Sequence, residues 1–307
     1  MLQLLTSTNI PFMRYRRYAY IFSGLILAAT ITFLVVKGPR YSVDFTGGTL
    51  LQVRLSQPLP ADQVRAALDQ GGFRGVELQQ MTSEGRSEFL LRIGQEQAAA
   101  QTDLFGRISQ AITQAHPGVT TELRRTENVG PKVGSELRQK AIWAVLCSLG
   151  VILLYVGIRY EFKYAFGAVV ALLHDVLVTL GVLCFLHREI SLTVLAALLT
   201  IAGYSVNDTI VVFDRIRERS KALRKEKHSR VMDIAVNETL SRTVITAFTV
   251  FLTSLALFIW GGEVLRDFSL AMLVGVGFGT YSSVYVASGL ALDSWIALDR
   301  RKGVQAE

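Results

Sequence analysis

Three ionisable side chains interrupt otherwise apolar stretches of the sequence, and they are the residues best placed to do chemistry. They are His174, Asp175 and Asp208. Placing an ionisable group near the centre of a bilayer costs about 3 kcal/mol or more, so each is a functional candidate by default. The alternative for each is a polar contact between helices with no transport role.

Asp208 is the strongest candidate because two opposing influences act on it. It lies five residues before Phe213, which ends an apolar segment, and therefore about 7 Å inside that end. Arg242 begins the next, antiparallel segment at a similar depth. A low dielectric favours the neutral carboxyl, whereas an opposite charge favours the carboxylate, so the group can load and release a proton when its surroundings change. Asp175 is expected about 9 Å deeper, too far for direct contact with Asp208.

Six apolar segments must position these groups, and each is long enough to cross a hydrocarbon core, which takes about 20 helical residues. The predicted membrane spans are residues 18–36, 141–158, 164–186, 190–213, 243–260 and 268–292. Half of the 307 residues are hydrophobic and only 19% are charged, which argues against buried helices of a large soluble protein. The first segment is predicted to be a span and not a signal peptide, because Lys37-Gly38-Pro39-Arg40 follows it where small residues would be needed for cleavage.

The net charge of +7 indicates membrane orientation and not nucleic-acid binding. Basic residues concentrate in the amino tail (1–17), the short connection after residue 158, a basic loop (214–242) and the carboxyl tail (293–307). The short loops of the opposite side carry one basic residue each, Arg188 and Arg266. By the positive-inside rule both termini are predicted to be cytoplasmic.

Residues 37–140 form the one long segment on the opposite side and are predicted to be an extracytoplasmic domain. Strands are predicted over 41–55 (a bent strand), 76–81, 88–93 and 119–127, and helices over 60–70 and 96–116. This order is that of the split βαβ, ferredoxin-like α+β fold. No paired carboxylates, histidine cluster or nucleophile motif stands out in it, which favours a docking or gripping module over an enzyme.

No cofactor, metal or nucleotide is expected. The four histidines are scattered across the predicted topology. The run Gly275, Gly277 and Gly279 follows no strand and opens no helix, so it does not predict a phosphate loop. Small residues at this spacing suit close helix packing, as does the Ser282-Ser283 pair that follows.

Several short motifs are spread from the first span to the sixth. They are Asp44-Phe45-Thr46-Gly47-Gly48-Thr49, Gly130-Pro131-Lys132-Val133-Gly134, His174-Asp175-Val176, Gly203-Tyr204-Ser205-Val206-Asn207-Asp208-Thr209, Phe213-Asp214-Arg215-Ile216-Arg217-Glu218, Arg242-Thr243 and Gly279-Thr280-Tyr281-Ser282-Ser283. Together they resemble the SecF signature of the SecD/SecF family of bacterial protein-export membrane proteins, within the RND superfamily. One departure is Gly289, where that family's pattern has proline.

The resemblance implies an inner-membrane subunit that uses the proton motive force to assist export. It implies SecD as the direct partner and work with the SecYEG channel on translocating preproteins, and it makes YajC and YidC further candidate accessory partners. In that family the aspartate matching Asp208 is tied to proton transport, and the arginine matching Arg242 is its functional neighbour. Asn207, His174 and Asp175 are then candidates for a relay or a helix interface. The chain resembles the separate subunit and not the SecD–SecF fusion.

Two other functions stay open from the sequence. One is a small-molecule or lipid exporter of the same superfamily, which would need a substrate pocket in the exported part. The other is a structural scaffold of the translocation complex without a proton step.

Overall fold

The computed structural model describes residues 8–83, 86–94, 97, 103–160 and 162–301. The chain divides into two compact units, of which the first comprises Met1–Arg40 and Trp143–Glu307 and the second comprises Tyr41–Ile142. The first unit is helical, and the second combines a sheet with helices.

The described part of the chain contains helices and six strands, numbered here in chain order. The helices are α1 (Phe12–Lys37), α2 (Val43–Thr46), α3 (Ala61–Gln70), α4 (Leu104–Ala115), α5 (Pro131–Arg159), α6 (Phe162–Phe185), α7 (Leu192–Ala222), α8 (His228–Trp260), α9 (Gly262–Ser282) and α10 (Ser288–Arg301), with a π-helical segment over Ser283–Ala287. The strands are β1 (Arg40–Tyr41), β2 (Gly48–Leu55), β3 (Glu77–Ser83), β4 (Arg86–Ile93), β5 (Thr121–Val129) and β6 (Glu189–Ile190).

Within the described part of the chain, six helical stretches are long and apolar enough to cross a membrane. They are Phe12–Lys37, Lys132–Arg159, Tyr164–Phe185, Leu192–Ala222, His228–Trp260 and Leu265–Arg301. Each overlaps one of the spans predicted from the sequence. The prediction of a multi-pass helical membrane protein is therefore confirmed.

The segment predicted as a basic loop, 214–242, is largely helical. The helix α7 continues to Ala222 and α8 begins at His228, so only residues 223–227 connect them. Glu238 of α8 binds two arginines of α7, with Arg215 Nε at 2.6 Å and Arg219 Nη2 at 2.5 Å from its carboxylate oxygens. Falling hydropathy marks the end of an apolar run and not the end of a helix, which is why the sequence predicted a loop here.

The start of α1 is held by side chains of α8. The carboxylate of Asp233 accepts a hydrogen bond of 2.8 Å from the backbone N–H of Met13. Asn237 binds both backbone groups of Ile10, accepting from its N–H at 3.0 Å and donating to its carbonyl at 2.9 Å. The first N–H groups of a helix have no partner within it, so these side chains satisfy groups that would otherwise need water.

Glycine allows close helix contacts around α6. A Cβ built on Gly167 would lie 2.7 Å from the backbone carbonyl oxygen of Ala287 in the π-helical segment. A Cβ on Gly181 would overlap the Thr30 hydroxyl of α1. Helices in membranes associate through such close approaches, since apolar surface gains little by leaving lipid.

The second unit is built on a four-stranded antiparallel sheet with strand order β3-β4-β2-β5. Alternate residues of β2 and β4, among them Val53 and Leu91, are buried against Leu68 of α3 and Ile108 of α4. The helices therefore cover one face of the sheet, as the period-2 alternation of the strands requires.

The start of this unit differs from the single bent strand predicted over 41–55. Residues 43–46 form the short helix α2, because the Ser42 hydroxyl accepts from the backbone N–H of Asp44 at its start. Gly47 ends this helix with a φ of 72° and Gly48 continues with 127°, a conformation that glycine adopts without strain. The helix predicted over 96–116 is described from Leu104, with Asp103 as its cap, and residues 96 and 98–102 lie outside the described residues.

Glu88 is a buried charged residue of β4. Its carboxylate accepts a hydrogen bond from Gln52 at 2.8 Å and forms an ion pair with Arg54 at 2.6 Å. Burial acts to raise the pKa of Glu88, but the hydrogen bonds from Gln52 and Arg54 and the positive charge of Arg54 outweigh it and hold the pKa below its ordinary value.

Candidate functional site

Asp208 lies on the inner face of α7. Buried residues recur every three or four positions along this helix from Val194 to Ile216, which is the pattern of a helix with one face packed inside. The Ser191 hydroxyl starts the helix by accepting from the N–H of Val194 at 3.2 Å. The same face carries Asp208, whose side chain is buried.

Two hydroxyl groups from two other elements bind the carboxylate of Asp208. The hydroxyl of Thr243 on α8 donates to Oδ1 at 2.6 Å. The hydroxyl of Ser283, the first residue of the π-helical segment, donates to Oδ2. The carboxylate therefore ties α7, α8 and the helix that contains Ser283 together at one point.

A second buried carboxylate, that of Asp175 on α6, accepts from three side chains. Nδ1 of His174 lies 2.9 Å from Oδ1. The hydroxyls of Ser205 on α7 and Ser282 on α9 both donate to Oδ2, at 2.5 Å and 2.6 Å. His174 and Asp175 are both almost fully buried, at 2% and 0% exposure, so the sequence-predicted pair faces the interior of the bundle.

Two consecutive serines at the start of the π-helical segment bind the two carboxylates. Ser282 donates to Asp175 and the next residue, Ser283, donates to Asp208. The widened turn leaves the Ser283 carbonyl to the hydroxyl of Ser288, five residues later, at 2.8 Å. Single π-turns inside α-helices are rare and frequently occur at functional sites.

Arg242 is exposed, whereas the adjacent Thr243 is buried against Asp208. Among the described residues no hydrogen bond or ion pair joins Arg242 to Asp208, so its positive charge can act on the carboxylate only through space. Sequence reasoning placed Thr243 within a motif but gave it no role. The signal that could have found it is a hydroxyl at the predicted depth of Asp208 on the antiparallel neighbour.

The other predicted residues of the first unit do not all join this site. Gly279 does, because a Cβ built on it would lie 3.7 Å from Oδ2 of Asp175. Tyr204 is partly buried one position before Ser205. Asn207 and Gly203 lie on the exposed face of α7, away from both carboxylates.

The motif over residues 44–49, which contains Gly47 and Gly48, lies in the second unit, where its residues make structural contacts. Phe45 is buried, and the backbone N–H of Gly47 would lie 2.9 Å from a Cβ built on Gly134. The two glycine-containing motifs therefore meet by close backbone approach. The carboxylate of Asp44 accepts a hydrogen bond of 3.0 Å from the hydroxyl of Ser42, two residues earlier.

Across the described residues, no group of three or more histidine, cysteine or acidic side chains is arranged to hold a metal ion. The arrangement around Asp208 consists instead of hydroxyl groups, which both donate and accept hydrogen bonds. Such surroundings can satisfy a carboxyl group in its charged form and in its neutral form.

When the chain is compared with known protein families, models of one family match most of the helical unit. The model of the C-terminal region of SecD/SecF protein export membrane proteins matches residues 108–296, and the model of the SecD/SecF GG motif matches residues 32–59. The first match contains both buried carboxylates and their hydroxyl partners. The chain belongs to the SecD/SecF family.

Full-length relatives in this family carry the name protein translocase subunit SecF. The relative from Vibrio alginolyticus is 44% identical over 308 residues, which cover 100% of this chain and 97% of that protein. The one from Haemophilus influenzae is 40% identical over 92% of this chain and 85% of its own length. The one from Escherichia coli O157:H7 is 40% identical over 92% and 86%.

Two solved SecDF structures share the fold of this SecD/SecF family member. The translocon-associated membrane protein SecDF from Thermus thermophilus superposes with a TM-score of 0.83 at 38% identity, over 94% of this chain and 39% of that one. SecDF in its super-membrane-facing form gives a TM-score of 0.70 at 38% identity, over 97% and 40%. This chain thus spans about two fifths of the SecDF chains that it matches.

Proposed function

We propose that this SecD/SecF family member is a SecF-type accessory subunit of Sec-dependent protein translocation in the bacterial inner membrane, and that it draws on the proton motive force through Asp208. The observation that carries the proton role is the buried Asp208 carboxylate, held by two hydroxyls from two other elements. The family assignment supports the export role.

The hydroxyl shell suits a group that changes its protonation state. As a carboxylate, Asp208 accepts from Thr243 and Ser283. When Asp208 takes a proton, the Ser283 hydroxyl has another acceptor, the carbonyl oxygen of Thr280 at 3.0 Å, and it can accept from the carboxyl group itself. Protonation therefore leaves no buried polar group without a partner, so it does not incur the penalty of an unsatisfied group.

Protonation would change the contacts that hold three helices together. Each proton that crosses the membrane makes about 2.3 kcal/mol available per 100 mV, enough to bias a movement between two states of similar energy. In this proposal the 37–140 segment is an extracytoplasmic, ferredoxin-like domain that moves with the helices and helps preproteins leave on the outer side. The distribution of basic residues supports cytoplasmic termini.

An exposed polar stripe on α7 supports association with SecD. Thr200, Gly203 and Asn207 lie on one exposed face of a helix that crosses the membrane. Asparagine facing lipid is costly, and small and polar residues are typical of surfaces where membrane helices pack together. SecYEG, translocating preproteins, YajC and YidC enter the proposal from the family resemblance alone.

The test is Asp208→Asn in membrane vesicles that contain the complete translocation machinery. We expect loss of the proton-driven part of preprotein export and of the accompanying proton flux, with the ATP-driven part retained. Asp214→Asn, an exposed substitution of the same type on the same helix, should leave both unchanged. Unchanged proton-driven export in Asp208→Asn would overturn the proton role and favour a structural scaffold.

A further inference from the structure

The buried pair of His174 and Asp175 has no part in the proton step described above, although its burial in the bundle is almost complete. A buried carboxylate persists only where hydrogen bonds replace its lost water. Asp175 meets this condition with three side chains, of which Ser205 lies on the helix that carries Asp208 and Ser282 immediately precedes Ser283.

The first connection runs along α7. Ser205, which donates to Asp175, lies three residues before Asp208 on the same helix. Residues three apart share a face of a helix, so the contact with Asp175 fixes the rotation of α7 at the turn that carries Asp208.

The second connection runs through two consecutive serines. Ser282 donates to Asp175, and Ser283 begins the π-helical segment and donates to Asp208. The backbone at this point is constrained from both sides. The Ser282 hydroxyl is bound to Asp175 of α6, and the Ser288 hydroxyl donates to the backbone carbonyl of Ser283. The direction of the Ser283 hydroxyl therefore depends on where Asp175 holds its neighbour.

His174 completes the arrangement by holding Asp175 from the same helix. Its Nδ1 contacts Asp175, and its ring packs against Tyr281 with centroids 6.1 Å apart and against Phe278 at 6.3 Å. His174 thus contacts α9 immediately before Ser282 and restrains the carboxylate of Asp175 through Oδ1.

We propose that Asp175, oriented by His174, is a positioning residue for proton transfer at Asp208 and acts through Ser282 and Ser283. The inference rests on the proposed proton function of Asp208. Asp175 does not carry the transported proton in this proposal. Its task is to hold the π-helical turn so that the Ser283 hydroxyl meets the Asp208 carboxylate.

The experiment is a double-mutant cycle read as the pH profile of proton flux in vesicles containing the whole complex. Ser283→Ala should shift the profile by about one pH unit, the size expected when one charge-assisted hydrogen bond is lost. Ser282→Ala should shift it in the same direction, and the double variant should shift no further than Ser283→Ala alone. Other groups near Asp208 that carry or exchange charge are Tyr204 on its own helix, Arg242 on α8, and His174 and Asp175 on α6, and all are retained in this cycle.

Two further variants complete the comparison. Asp175→Asn should reproduce the shift of Ser282→Ala, and Asp175→Glu should restore part of the wild-type profile. Ser269→Ala is the matched control, because Ser269 is a buried serine of α9 whose hydroxyl donates only to the carbonyl of Leu265 on its own helix. It should leave the profile unchanged.

The outcomes separate this inference from the proposed function. If Asp208→Asn abolishes flux but Ser282→Ala leaves the profile in place, or if the shifts of Ser282→Ala and Ser283→Ala add, the positioning role is wrong and the proton role stands. If Asp208→Asn retains full flux, both are wrong. Should Asp175→Asn fail to assemble with its partner, Ser282→Ala, which removes a single hydroxyl, still decides the question.

Discussion

The hydroxyl of Thr243 donates a hydrogen bond of 2.6 Å to the carboxylate of Asp208 across the interface of α7 and α8. The arginine that precedes it, Arg242, is exposed and forms no hydrogen bond or ion pair with Asp208 among the described residues. These two neighbours on α8 therefore have different roles at the site. Thr243 contributes a hydrogen bond, and Arg242 contributes a positive charge.

For Thr243 we predict that Thr243→Val lowers proton-driven export about fivefold to tenfold. Valine has nearly the same shape, so the loss reflects the hydrogen bond, which contributes about 1 to 1.5 kcal/mol. Thr243→Ser, which keeps the hydroxyl, should retain most of the activity. Export in inverted vesicles with and without a proton gradient measures the effect, and equal activity of the valine and serine variants would show that the hydroxyl is not needed.

Arg242 should tolerate a change of shape but not of charge. Arg242→Lys is expected to keep most of the proton flux, because an effect exerted through space needs only the positive charge. Arg242→Ala should lose proton-driven export while the protein still inserts into the membrane at normal levels. Flux and membrane abundance are measured together, and a lysine variant as inactive as alanine would indicate a contact specific to the guanidinium group.

The second unit should lose stability as Glu88 is protonated. The pKa of Glu88 lies below its ordinary value, so the ion pair with Arg54 stabilises the folded state above the ordinary pKa of about 4.3 and this contribution is lost as the pH falls through the lower folded value. We expect Glu88→Gln to destabilise this unit by about 1 to 3 kcal/mol at pH 7, with a smaller difference below pH 4.

Hydrogen exchange of the β2 and β4 amides in the full-length protein measures this difference. Glu122→Gln is a suitable control, because Glu122 is exposed and lies 3.8 Å from the same arginine. Exposed pairs contribute little. A difference for Glu88→Gln that stayed constant from pH 7 to pH 3 would contradict the assignment.

Close packing at Gly167 gives a prediction that is independent of charge. A Cβ at this position would meet the carbonyl oxygen of Ala287 at 2.7 Å, so Gly167→Ala should destabilise the bundle by about 1 to 3 kcal/mol. Gly150→Ala on α5 is the matched control, since a Cβ there meets nothing within 4 Å, and alanine favours the helix. Thermal unfolding in detergent compares the two, and equal midpoints would show that the helices can separate at no cost.

The sequence predicted the membrane helices because apolar runs of about 20 residues with almost no charge are rare outside membrane spans. It also placed Asp175 too deep for direct contact with Asp208, and the structure connects the two through Ser205 on α7 and through the consecutive Ser282 and Ser283. This connection could not be predicted, because it depends on a π-helical turn that no residue pattern announces. The hairpin of α7 and α8 was missed although Val231, Met232, Ala235 and Val236 recur at helical spacing and are buried, because the prediction followed long apolar runs and these end where charged residues begin.

The carboxylate of Asp233 caps α1 from a position 220 residues further along the chain. At synthesis rates of about 5 to 20 residues per second, the ribosome reaches this residue roughly 10 to 45 s after it has made Met13. For that time the amino-terminal end of the first helix lacks the cap that Asp233 later supplies. Final docking of the first span waits for the fifth, so the bundle closes late in biosynthesis.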